Sequence, residues 1–124
     1  MAAEQAAPGA AAARAAGVIE VYVAQRLDVA SVRRCQAILS QALRRQPARL
    51  IVDLSDCPGV DATGIGVLLD AHRALWRQGS QLTLRAVPPE VWRMFVLARV
   101  DHVFDVDPGP AQRGHPSPVP PQAG

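Results

Sequence analysis

Carboxylates crowd one short stretch of this chain: Asp53, Asp56 and Asp61. A cluster of acids is what a divalent cation or an aspartyl phosphate requires. A parallel sheet would assemble such a centre from the ends of several strands, whereas these acids come from one strand and the loop behind it. All thirteen basic residues are arginine, so no lysine supports a receiver-type phospho-aspartate, a Schiff base or a Walker-type phosphate loop. Surface and capping roles therefore fit Asp53 and Asp56 better than catalysis. The histidines do not combine either. His72 belongs to a helical pattern, His102 to a late turn and His115 to a proline-rich tail, none at ligand spacing from a cysteine or another histidine. Gly64-Ile65-Gly66 imitates the opening of a dinucleotide loop. The third glycine would fall at Leu69, and a long loop separates the motif from its strand. No acid–base or nucleophile constellation converges, so neither an enzyme nor a bound metal or cofactor is expected.

Thr63 stands apart because of its position. It follows Asp61 across Ala62, precedes Gly64, and opens a helical pattern. Two readings of this turn remain open. Asp61 or Thr63 can cap the helix by accepting from its free backbone N–H groups. Alternatively, Thr63 is a phospho-acceptor: Ala62 and Gly64 leave its hydroxyl unshielded, and a helix N-terminus tolerates added negative charge. Phosphate would bring roughly −1.5 to −2 charges next to Asp61 and block a partner surface without unfolding the domain.

Alternating strand and helix patterns must hold that turn in place. Val18, Val21, Tyr22 and Val23 form a β-branched and aromatic cluster ending near Ala24. Asp28 is positioned to cap a helix with Val32, Cys35, Ile38, Leu39, Ala42 and Leu43 on one stripe, ended by Pro47. The run Leu50-Ile51-Val52 with Leu54 reads as a strand covered on both faces. A second helix, about Thr63 to Gln78, carries Ile65, Leu68, Leu69, Leu75 and Trp76 as its apolar residues, with Gly79 in a left-handed stop. Leu82 and Leu84 alternate with Gln81, Thr83 and Arg85, a strand with one polar face. Pro88-Pro89-Glu90 starts a helix whose buried stripe is Val91, Met94, Phe95 and Ala98, and Val103, Phe104 and Val106 close with a short strand. The order β-α-β-α-β-α-β implies a mostly parallel sheet with right-handed crossovers. Helices packed on one face would leave the other more polar or covered differently.

The rest of the composition limits the setting. Residues 1–16 are Ala-rich without a periodic face and read as a disordered leader, with a frayed helix over Ala10–Ala16 as the alternative. Residues 107–124 repeat proline and read as a disordered tail, leaving 17–106 as the folded domain. A formal net charge of +2 is too small to argue for nucleic acid. No segment is long enough and apolar enough for membrane insertion, and no signal peptide is expected. Cys35 and Cys57 alone make no disulfide framework and fit a reducing cytoplasm.

The segment from Leu50 through Asp53-Leu54-Ser55 to Asp61-Ala62-Thr63-Gly64-Ile65-Gly66-Val67-Leu68-Leu69 resembles the signature of STAS domains, particularly bacterial anti-sigma-factor antagonists. Their pattern is an apolar strand ending in Asp-Leu, a short loop, Asp-x-Ser/Thr-Gly-x-Gly, then an apolar helix. Arg26-Leu27-Asp28 is similar to the end of the family's Gly-x-Leu-Asp motif, and Pro88 to Val106 to its third helix and last strand. The resemblance implies an α/β fold with a mostly parallel or mixed sheet and helices mainly on one face. It implies binding to an anti-sigma factor that is also a kinase of the histidine-kinase-like ATPase fold, phosphorylation at Thr63, and a resetting phosphatase. Asp28, Asp61, Ala62, Thr63 and Gly64 would then lie at the partner surface. A second member class, a STAS subunit regulating an ATP-driven membrane transporter, is the alternative. The sequence departs from the family at Thr63, where serine is commoner, at Ala62, where many members carry another serine, and at Gln25, which replaces a glycine. The family's first strand has no evident counterpart: either it is absent, or residues near Ala10–Ala16 supply it.

Overall fold

The computed structural model describes residues 12–15 and 17–107. Its elements are β1 (Ala12–Ala15), β2 (Val18–Tyr22), α1 (Val32–Arg44), β3 (Arg49–Asp53), α2 (Ala62–Arg77), β4 (Gln81–Arg85), α3 (Pro89–Leu97) and β5 (Asp105–Asp107). The sheet order is β1-β2-β3-β4-β5, with β2 to β5 parallel and β1 antiparallel on the outer edge of β2. Successive parallel strands step in one direction across the sheet, so right-handed crossovers carry all three helices to the same face. This is the expected α/β layering.

Parallel register decides which residues share that helix-covered face. Ile19, Leu50 and Leu82 align in one row, and Val21, Val52, Leu84 and Val106 in the next. All but Val106 are almost fully buried, and they join Leu39, Leu68, Leu75, Val91 and Phe95 of the helices in one core. Burying such side chains contributes roughly 1.5–3 kcal/mol each.

The opposite face is polar and tied together by side chains. Its central row is Glu20, Ile51, Thr83 and Asp105. Arg85 bridges Glu20 at 3.1 Å and Asp107 at 3.7 Å. The Thr83 hydroxyl donates to Asp105 at 2.8 Å and accepts from Arg49 Nε at 3.1 Å, which satisfies the one buried polar residue of the described core.

Several sequence expectations need correction. Ala12–Ala15 forms an edge strand, in register from Ala12 opposite Val21 to Ala15 opposite Val18, within the segment read as a disordered leader or frayed helix. Pairing with β2 overrides the helix propensity of alanine, and the family's first strand has its counterpart there. The remaining leader and tail, 1–11, 16 and 108–124, lie outside the described residues. Asp28 does not cap α1: Ser31 occupies that position without a side-chain cap bond. The last strand is Asp105–Asp107, because a turn takes up residues 101–103 and Phe104 is buried in the core. Trp76, counted with the apolar residues of the second helix, is 74% exposed.

Candidate functional site

Two loops at one end of the sheet are stitched together by backbone. Leu27 N donates to Gly59 O at 2.9 Å and Asp61 N donates to Leu27 O at 3.1 Å, forming a parallel bridge between Leu27 and Val60. Leu27, Val60 and Cys57 are buried beneath this seam, so the loops are anchored by apolar contact as well as by hydrogen bonds. The chain then enters α2 at Asp61, whose backbone is extended.

Asp61 uses both carboxylate oxygens. Oδ1 accepts from Gly64 N at 2.9 Å, capping α2, and Oδ2 accepts from Val29 N at 3.3 Å on the neighbouring loop. One negative charge thus meets the positive end of the helix dipole and fastens the Val29 loop. Gly64 is required by the same seam. A methyl group at Gly64 would collide with the Leu27 carbonyl oxygen and approach Val60 Cγ2 to 2.8 Å.

Asp28 shapes the first loop. Its Oδ1 accepts from Ala30 N at 3.0 Å and Ser31 N at 3.2 Å, while Oδ2 faces Arg26 Nε at 3.5 Å. Asp28 and Asp61 therefore stand on adjoining loops. Ala62 and Thr63 are exposed and Gly64 is buried. With Asp61 as the cap, the Thr63 hydroxyl has no hydrogen-bond partner among the described residues. The open choice between Asp61 and Thr63 as cap is decided for Asp61.

Beside the turn, a groove of about 350 Å³ runs between Val60-Asp61 and α3, with Arg26 at one end. Glu90, Arg93, Met94 and Leu97 form its other wall. Sequence reading missed this wall. Its signal was present as the helical stripe Glu90–Arg93–Leu97, set off from the buried Val91–Phe95 stripe.

The remaining chemical candidates have structural environments of their own. His72 packs against Phe104 at a ring separation of 6.1 Å, close to edge-on. Among the described residues no three His, Cys, Asp or Glu side chains are grouped to hold a metal ion. Asp53 Oδ1 accepts from the Ser55 amide at 2.9 Å and hydroxyl at 2.7 Å, a turn-forming role. Cys35 and Cys57 are buried free thiols. Burial, and then the neighbouring Cys57, push the Cys35 pKa from 9.0 up to about 11, and burial also raises that of Cys57. Both stay protonated at neutral pH, the inert form for nucleophilic or metal chemistry. No helix of the described residues is long and apolar enough to cross a membrane.

Known proteins are similar to this chain in sequence and in fold. The family model described as STAS domain matches residues 10–112. An anti-sigma-B factor antagonist from Listeria monocytogenes is 23% identical over 88 residues, covering 71% of this chain and 77% of its own. The crystal structure of an anti-sigma factor antagonist from Mycobacterium paratuberculosis superposes with a TM-score of 0.74 at 20% identity, covering 86% of this chain and 93% of its own. A sulfate transporter family protein from Wolinella succinogenes has a TM-score of 0.68 at 17% identity, with coverage of 79% and 82%.

Proposed function

The chain belongs to the STAS domain family, and from that premise we propose that it is an anti-sigma-factor antagonist switched off by phosphorylation of Thr63. The unmodified chain binds an anti-sigma factor that is also an ATP-dependent kinase, and so frees a sigma factor in the cytoplasm. The kinase phosphorylates Thr63 and a phosphatase restores it. Relatives named anti-sigma factor antagonists support the role. The observation that carries the switch is the idle Thr63 hydroxyl: exposed at the start of α2, and spared from capping because Asp61 performs it.

Electrostatics supply the mechanism. The Asp61 carboxylate already satisfies one free amide of α2, that of Gly64. A phosphate two residues on adds roughly −1.5 to −2 charges beside the Asp61 carboxylate, so it opposes a partner without breaking the cap. Asp28, Asp61, Ala62 and Thr63 make up the partner surface, Ala62 keeping it low enough for close approach, while Gly64 is buried beneath it against Leu27 and Val60. The chain acts by binding, without catalysing a reaction itself.

The test is transfer of labelled phosphate from ATP by the cognate anti-sigma factor. Thr63→Ala should abolish labelling, and Thr63→Glu should weaken binding by about tenfold or more, the scale of a lost central contact. Full labelling of the alanine variant sinks Thr63 as the acceptor. The fold shared with a sulfate transporter family protein motivates a second reading, a STAS subunit regulating an ATP-driven transporter. Co-purification with a transporter ATPase, and no binding to any anti-sigma kinase, would favour it.

A further inference from the structure

We propose that the C-terminal ends of α1 and α2 form a docking surface for an anionic phospholipid membrane. Trp76 rests among the headgroups, and Arg44, Arg45, Arg73 and Arg77 meet their phosphates. This surface goes beyond the antagonist reading and does not depend on it. Along α2, Trp76 stands about 20 Å from Thr63, toward the opposite end of the sheet.

Charge is sorted along this chain. No acid lies between Asp28 and Asp53, nor between Asp70 and Glu90. Those intervals hold α1 and the second half of α2. Helix α1 ends on Arg44 with Arg45 behind it, and α2 carries Arg73 and ends on Arg77; all four are exposed. The two helix ends adjoin. Gln78 Nε2 donates to the Leu43 carbonyl at 3.4 Å, and the Ser80 hydroxyl donates to that of Pro47 at 2.6 Å. Arg73 pairs with Asp70 at 3.3 Å, whereas Arg44, Arg45 and Arg77 have no ion-pair partner among the described residues. Asp101, in the turn before Phe104, comes with Arg99 two residues earlier. Asp105 lies on the other face of the sheet, held by Gln81 and Thr83. Helix C-termini attract cations, but about half a charge per helix leaves this surface positive.

Trp76 decides the partner. It is 74% exposed, and its ring lies 6.3 Å from that of His72. With Arg73 and Arg77 the two rings line a shallow pocket of about 300 Å³. A tryptophan that anchors a protein partner sits at the centre of a patch from which water is excluded. Here the side chains around the indole are polar. Two helices packed side by side also make a face too broad to enter a DNA groove. The headgroup layer of an anionic bilayer takes an exposed indole and arginines together, in one plane and without a complementary cavity.

Flotation of the full-length chain tests this, with vesicles of phosphatidylcholine alone or containing about 30% phosphatidylglycerol. The chain should float with the anionic vesicles only, and salt at about 0.5 M should release it. Arg73→Gln together with Arg77→Gln should weaken partitioning about tenfold or more, each arginine near such a surface contributing about fivefold. In a Trp92→Phe background, anionic vesicles should blue-shift the tryptophan emission, which then comes from Trp76 alone. Circular dichroism should be unchanged by the arginine pair, since both side chains lie outside the core. Binding to neither vesicle, or equally to both, overturns the proposal. So does anionic binding that the arginine pair leaves within twofold of wild type, because another surface then carries it. A gel shift of duplex DNA or of RNA that the arginine pair abolishes, with vesicles unbound, assigns the patch to nucleic acid and overturns it as well.

Discussion

At the residue scale, the two glycines of the signature turn do different things. Gly64 is enforced by contact, because the Leu27 carbonyl and Val60 occupy the space a Cβ would need. Gly66 meets nothing within 4 Å of the corresponding position. Gly64→Ala should cost about 1–3 kcal/mol, the range for overpacking a tight site. Gly66→Ala should instead stabilise the chain by roughly 0.5–1 kcal/mol, by removing a flexible residue from a helix. Urea unfolding of the two variants measures both. Equal destabilisation would mean that the seam between Leu27 and Gly64 is not what requires a glycine. The motif was legible in the sequence, but the reason for Gly64 was not. Its clash comes from a carbonyl 37 positions away along the chain, brought near by the pairing of Leu27 with Val60.

At the element scale, helical periodicity located all three helices within a residue or a turn. It misjudged which side chains they bury. Trp76 follows Leu75, which is fully buried, and so lies about 100° further round the helix, where the neighbouring packing ends. Phe95 is completely buried and touches Phe104 at a ring separation of 5.3 Å. Trp76→Gln is expected to change stability by less than about 0.5 kcal/mol. Phe95→Ala should cost about 3–5 kcal/mol, since it removes a core aromatic and leaves a cavity. Chemical denaturation distinguishes them, and a large loss from Trp76→Gln would return that residue to the core. Strand ends were read less well than helices. Val103 and Phe104 have the composition of a strand, but burial of Phe104 against His72 and Phe95 ends the turn one residue before β5 begins.

At the scale of the whole molecule, the buried thiols make stability depend on pH. Cys35 has its pKa raised from 9.0 to about 11. A thiol that ionises more easily when unfolded adds stability below pH 9, and that contribution is lost as pH rises from 9 to about 11. Unfolding by urea at pH 8 and pH 10.5 should therefore show a drop in stability that is shallower in Cys35→Val. An identical drop in wild type and variant would show that Cys35 is not the group responsible. Near neutral pH both thiols remain neutral, so they act as small apolar parts of the core rather than as reagents.

Local chemistry in the sequence determined the alternation of elements and the helix opening at Asp61. These depend on neighbours within a few positions, where capping, periodicity and turn preferences operate. Tertiary structure decided what depends on distant partners. It chose Asp61 over Thr63 as the cap, joined Asp61 to the Val29 loop, and ran a groove along α3 beside the Asp61 turn. It also made a strand of Ala12–Ala15, where composition favoured no structure or a helix. An edge strand is held by the hydrogen bonds its neighbour offers, and no window of the sequence around alanine contains that neighbour's register.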